Sequence, residues 1–159
     1  MTTDTLINQY VDDAGDSISV WYNQKISDSL AFSDFKKAYA GLILNKFSST
    51  TFLNAVMHRI DGIEVIYTVQ NNEIVVVTAF EHNKEFNEVY IILSYVPPKH
   101  RNSFFTKARH LQDTTLKEIS IDRGVTQMAG WVNVNNTKTL KVFERRGFVP
   151  ECVKVVRQL

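Results

Sequence analysis

The stretch EVYIILSYVPPKHRN, residues 88–102, changes its pattern halfway along. Val89 to Val96 are almost all β-branched, aromatic or aliphatic, which suits a pleated and largely buried strand. Pro97 and Pro98 have no backbone N–H to give a ladder, so the strand must end there. Beyond them the period lengthens: Phe105, Ala108, Leu111, Thr115 and Ile119 recur at helical spacing over residues 103–122, and Gly124 is a natural stop. VTQMAGWVNV, residues 125–134, then reads as a strand again. A strand, a long helix and a strand make a crossover, and a crossover sets its two strands parallel.

Upstream of this unit lie two more strand-like runs, IEVIYTVQ (63–70) and EIVVVTAF (73–80). Asn71 and Asn72 between them tolerate the left-handed backbone of a tight hairpin, and Asn83, Lys84 and Glu85 form the polar tip of the next connection. Three antiparallel strands in sequence are expected. The first sixty residues read as helical. Leu6, Ile7, Tyr10 and Val11 fall at helical spacing, and SDFKKAYAGLILNKF starts at a cap on Ser33 or Asp34 and carries Phe35, Tyr39, Leu42 and Ile43 on one side. A short helix over residues 49–59 follows. Downstream, residues 137–146 form a short helix closed by Gly147, and CVKVV (152–156) supplies a last strand. The expectation is a single α+β domain, helical over 1–60 and sheet-bearing over 61–159, whose mostly antiparallel sheet contains one parallel pair.

The 159 residues, 44% hydrophobic, suffice for one well-buried core. A formal charge of +1 gives no global pull toward nucleic acid or an anionic membrane, so neither is expected as a partner. The lone Cys152 has neither a disulfide partner nor metal-ligand spacing, which fits a reducing compartment, and no metal site is expected. The acidic start MTTDTLINQYVDDAGDS lacks the order of a secretion signal, and no apolar run reaches membrane-spanning length. A cytoplasmic location is expected, or one inside a larger assembly.

This order of elements resembles the GCN5-related N-acetyltransferase (GNAT) family over about residues 60–155. Two stretches carry the resemblance. In NNTKTLKVFERRGF, Asn136, Thr139, Phe143, Gly147 and Phe148 fall where the family has an Asn, a small residue, usually a Tyr, then Gly and Phe. In VPPKHRN, Val96, Pro98 and Arg101 fall at the family's Val, Pro and the Arg that opens its pyrophosphate loop. The resemblance implies acetyl-CoA as donor, seated in a splay between the two parallel strands, with an amine-bearing small molecule or protein as acceptor. The strand-end backbone near Tyr95 and Val96 would polarise the thioester carbonyl, and backbone N–H groups of Arg101, Asn102, Ser103, Phe104, Phe105 and Thr106 would cradle the pyrophosphate at the start of the crossover helix. Asn136 would contact the cofactor or the acceptor, and Phe143 would stand near the thioester sulfur.

The departures are as informative. The family's three loop glycines read Asn102, Phe104 and Thr106 here, leaving Arg101, Lys99 and His100 to bind phosphate by charge. Where many members keep a Tyr hydroxyl to protonate the leaving thiolate, this chain has Phe143. Glu88 is the candidate general base, with Glu81 and His82 behind it. Each has a plainer alternative: Asn136 as a helix N-cap, Arg101 and His100 as solvated loop residues, Glu88 as a strand-end carboxylate, and Phe104, Phe143 and Phe148 as core; Trp131 is either a wall of the splay or core, with core expected. Two functions stay open, an acetyl-CoA-dependent N-acetyltransferase and a non-catalytic protein that keeps the fold for assembly. The second draws on a looser similarity of WVNVNNTKTLKVFERRGF to small acetyltransferase-like proteins of tailed phages, which implies other virion proteins as partners and a place inside a virion.

Overall fold

The computed structural model describes residues 3–101, 106–152, 155 and 157. Six strands lie side by side in chain order: β1 (Thr5–Val11), β2 (Ser17–Asn23), β3 (Glu64–Gln70), β4 (Glu73–Asn83), β5 (Glu88–Tyr95) and β6 (Gln127–Gly130). All neighbours pair antiparallel except β5 and β6, which are parallel. Four helices complete the fold: α1 (Phe32–Leu44), α2 (Thr50–His58), α3 (Thr106–Asp122) and α4 (Thr137–Arg145). The mixed α+β sheet with its single parallel pair and crossover helix is as the sequence predicts.

The N-terminal segment is not. Leu6, Ile7, Tyr10 and Val11 lie on a strand that hairpins with β2. The competing signal is downstream: Ile18 and Val20 alternate as a buried strand face, and Asp12, whose carboxylate accepts from the backbone N–H groups of Ala14 and Asp16, builds the turn before it. Gly15 takes the positive φ of +85° that this turn requires. β1 is an edge strand with little burial, so it had no alternation to display. Its start is pinned instead by Asp4, which accepts from the Tyr67 hydroxyl (2.7 Å), the Asn23 amide (3.0 Å) and the Leu30 N–H (3.1 Å).

Helix α1 begins at Phe32 with Ala31 at the cap position, two or three residues earlier than the expected cap at Ser33 or Asp34, and with no side-chain cap. Helix α2 has a true cap, Ser49 Oγ accepting from the Phe52 N–H at 3.1 Å. The two pack on one face of the sheet, where Phe35, Tyr39 and Val56 meet Val65, Tyr67, Val77, Ala79, Ile92 and Leu93. Helix α3 covers the other face, with Leu116 against Val20, Ile66, Phe80 and Val89, and Ala108 against Ile18, Val75 and Val76.

Polar contacts fix α3 over the sheet. Buried Gln112 donates to Thr68 Oγ1 (3.0 Å) and to the Val76 carbonyl (3.1 Å) and accepts from Thr78 Oγ1 (2.7 Å), so every buried polar atom of that network has a partner. At the C-terminal end, Arg123 places Nη1 and Nη2 on the two oxygens of buried Glu64, at 2.8 and 2.6 Å, and the Tyr22 hydroxyl donates to the same carboxylate. Burial and then Glu64 push the Tyr22 phenol up to about 12.

Strand β6 is shorter than residues 125–134 suggested, and α4 ends at Arg145. The expected last strand lies largely outside the described residues; Cys152, at its start, is exposed and in no strand.

Candidate functional site

The parallel pair holds for four residues and then parts. Glu88, Val89, Tyr90 and Ile91 stand opposite Gln127, Met128, Ala129 and Gly130; beyond that, β5 runs on to Tyr95 with no strand on its β6 side among the described residues. Two local features set the parting point. On the β4 side, Leu93 pairs with Ala79 and Ile91 with Phe80, so Ile92 is an extra residue, a β-bulge outside the regular ladder. On the β6 side, a Cβ on Gly130 would sit 3.1 Å from the Ile91 carbonyl oxygen, tighter than ordinary contact. Glycine therefore lets β6 approach β5 at its last paired residue and then turn away.

The wedge left between the strands is a cleft of about 80 Å³, lined on one side by Ile91 to Ser94 and on the other by Gly130 to Asn133. Helix α4 supplies Asn136, Thr139 and Phe143, one side chain per turn, and Leu42 and Phe47 close it from the end of α1. Asn136 stands at the N-cap position, yet its side chain makes no cap hydrogen bond and lines the cleft instead. Trp131 is 53% exposed and forms part of the wall, which corrects the expectation that it is core. Phe143 is half-buried, edge-on to Phe148 with ring centroids 4.9 Å apart. Neither ring is in the main core.

Tyr95 ends β5 and Val96 follows it, both half-buried and packed against the cores on opposite faces of the sheet. A single 3-10 turn over Pro98–His100 leads to Arg101. Arg101 Nε donates to the Val96 carbonyl at 3.0 Å and its guanidinium lies 5.5 Å from the Tyr95 ring centroid; its remaining donors make no hydrogen bond among the described residues. Lys99 and His100 are engaged elsewhere, both on Glu73, at 2.6 and 3.0 Å. Asn102, Ser103, Phe104 and Phe105 lie outside the described residues, and Thr106 opens α3.

Glu88 stands at the other end of β5, on the α1 face with Tyr90 and Ile92. It is four residues, about 13 Å, from the bulge, and accepts from Gln127 Nε2 at 2.7 Å. Across the ladder from Tyr90 lies Glu81, whose carboxylate takes Arg59 Nε at 3.1 and 3.2 Å. Burial, then Tyr39 and the nearby Glu81 and Glu88, raise the Tyr90 phenol well above its usual value. His82 faces the α3 side, with Nε2 buried and unpaired, away from this group. Of the residues the sequence singled out, Asn136 and Phe143 line the cleft, while Tyr95 and Val96 follow Ser94 just beyond its lining and Glu88 stands further down the same strand. Gly130, Thr139 and the bulge at Ile92 belong to the site as well. Of these, Gly130 had a legible signal, a glycine in the middle of a strand-like run.

Among the described residues, no group of His, Cys, Asp and Glu could hold a metal ion, and no helix is long and apolar enough to cross a membrane.

No protein-family model and no curated protein matches the chain. Solved structures do. An aminoglycoside acetyltransferase from an uncultured soil metagenomic sample, in complex with sisomicin, is similar at 12% identity and TM-score 0.61, over 89% of this chain and 96% of its own. A ribosomal-protein-alanine N-acetyltransferase from Brucella melitensis biovar Abortus is similar at 13% identity and TM-score 0.61, over 89% and 99%. The aminoglycoside N-acetyltransferase AAC(6')-Iy in complex with CoA is similar at 14% identity and TM-score 0.60, over 93% and 99%. At such identities the likeness is one of fold, and the fold is GNAT-like.

Proposed function

We propose that this chain is an N-acetyltransferase that binds acetyl-CoA in the wedge between β5 and β6 and transfers its acetyl group to an amine. The observation that carries the reading is the parting of the parallel pair at a bulge, because among the described residues it leaves the backbone edge from Ile92 to Tyr95 without a strand partner on its β6 side. Unpaired strand edge takes up an extended, amide-bearing ligand as it would another strand. Solved proteins of this fold include one in complex with CoA and others that are aminoglycoside acetyltransferases, which supports a thioester donor and a small-molecule amine acceptor.

Acetyl-CoA supplies an activated carbonyl carbon; the new bond is C–N, the broken one C–S. The chain's own residues hold and poise the reactants. Backbone N–H groups at the bulge and strand end offer hydrogen bonds to the carbonyl oxygen, where charge develops. Arg101, with donors to spare, faces phosphate at the head of α3. Asn136, with no cap bond to make, offers its amide to the donor arm or the acceptor. Glu88 takes the amine proton through water that passes Tyr90 on the same face. Phe143 has no proton to return to sulfur, so water must provide it.

The test is a melting curve with CoA and acetyl-CoA. At one hundred times its dissociation constant a ligand of the folded state adds about 2.7 kcal/mol, or about 5 to 11 °C for a chain of this size. No shift with either at millimolar concentration would overturn the reading. The alternative, a fold retained for assembly with virion or other partners, has no observation in its favour here and would inherit that result.

A further inference from the structure

Among the described residues, the chain beyond β6 has few polar ties to the rest of the protein. No residue of α4 is buried, and among the described residues the only hydrogen bonds or ion pairs that tie residues 133–150 to the rest of the protein come from one side chain. Arg146 reaches across to α3, with Nε at 3.1 Å and Nη2 at 2.6 Å from Asp113 Oδ1. The pair is largely shielded, the two side chains being 21% and 15% exposed, so it is stronger than a surface bridge. Asp113 also receives Lys117 from its own helix, at 3.1 Å. The same guanidinium lies 5.4 Å from the Phe143 ring centroid and 5.6 Å from that of Phe148. A continuous line of contact therefore runs from α3 through Arg146 to Phe143 and so to the cleft wall.

The cleft itself is too narrow for the donor that the reading above assigns to it. About 80 Å³ holds two or three waters, whereas small-molecule sites are typically about 300 to 1,000 Å³. Its other wall, β5, is a strand hydrogen-bonded to β4 along its length and buried in two cores, and cannot yield. The wall that can move is the one carrying Asn136, Thr139 and Phe143.

We propose that Asp113 and Arg146 form a latch that holds α4 against the cleft and must release for a thioester-bearing arm to enter; they are positioning residues for the α4 wall. The entry step rests on the donor-cleft reading, while the latch rests on the geometry alone. An arm bound beneath α4 would let the pair re-form over it, so the latch sets both how fast the donor enters and how long it stays.

Hydrogen exchange read by mass spectrometry on the whole protein, with and without CoA, tests this. In Asp113→Asn and Arg146→Gln, amides of residues 137–145 should lose about tenfold or more of their protection, while those of α3 and β5 keep theirs. The double variant should lose no more than either single, because the two side chains act as one unit. Arg146→Lys, which keeps the charge but not the fork, should recover part of the protection. Stopped-flow mixing with CoA should show faster association and faster dissociation in both single variants. Unchanged α4 exchange in the singles, an additive double, or loss spread equally over α3 would each overturn the latch. Failure of CoA to bind even the parent protein would instead remove the donor reading, and the exchange pattern would still decide the latch.

Discussion

Adding a hydroxyl at Phe143 asks the most direct question of the cleft. Phe143→Tyr adds one oxygen at the far end of a ring that lines the wedge, is half-buried, and is braced edge-on by Phe148 and by the Arg146 guanidinium. Because the ring is outside the main core and already meets solvent, the new oxygen can be hydrated. Its cost should be below about 1 kcal/mol, at the low end for a buried hydroxyl, which is a fall of no more than about 4 °C in melting temperature. If thiolate departure limits the rate, a positioned acid that partly recovers general acid catalysis should raise turnover by about 10- to 100-fold, or about 1.4 to 2.7 kcal/mol off the barrier. The assay is thiol release from acetyl-CoA with a panel of primary amines, beside a melting curve of each protein. Unchanged turnover in a variant that still binds CoA and still melts within that range would refute the assignment of this helix to the leaving-group side.

Four other outcomes follow. Gly130→Ala places a methyl 3.1 Å from the Ile91 carbonyl, so β6 must shift; melting should fall by a few degrees and CoA affinity with it, and a variant that melts and binds as the parent does would show that the close approach is not needed. Arg101→Ala should weaken CoA binding and flatten its salt dependence in calorimetry at two ionic strengths, since an exposed charge contact to phosphate is screened by salt. Glu88→Gln keeps the shape and can still meet Gln127, so kcat should fall about 10- to 100-fold with little change in CoA affinity, and an unchanged kcat would remove it as the base. For stability against pH, burial raises the Asp4 and Asp113 carboxyls, but hydrogen bonds from Tyr67 and Asn23 to the first, and Arg146 and then Lys117 at the second, more than reverse this and leave both below the usual carboxylate range. Their contribution is present above about pH 4 and lost as pH falls through the folded values, whereas Tyr22 and Tyr39, raised to about 12 chiefly by burial, contribute below about pH 10 and lose it toward pH 12. Melting temperature should form a plateau between those limits, and Asp113→Asn should flatten its acid edge.

What the sequence disclosed follows burial. Val89 and Ile91 face α3 while Tyr90 and Ile92 face α1, so β5 is apolar on both sides and reads as a strand with no need of context. The two prolines after it and the helical stripe of α3 were equally plain, and together they settle the parallel pair. Strand β1 was misread because an edge strand buries little, so Leu6, Ile7, Tyr10 and Val11 were under no pressure to alternate and happened to fall at helical spacing. Inside α3, Gln112 was invisible for the opposite reason: a polar residue reads as solvent-facing until its partners Thr68, Thr78 and Val76 arrive from two distant strands.

The site divides along the same line. Asn136 and Phe143, which line the cleft, could be singled out in the sequence because each is held by its own local element, a helix start or a helix turn. The bulge at Ile92 was not, since a bulge exists only in the register between two strands, and nothing in IILS distinguishes the residue that β4 will skip. The same holds for the latch: Asp113 and Arg146 are 33 residues apart and ordinary in isolation, and only the crossover brings α3 beneath α4. The parting of β5 and β6 is thus a property of register and topology, set by which residue β4 skips and where β6 turns away, and not of any one local motif.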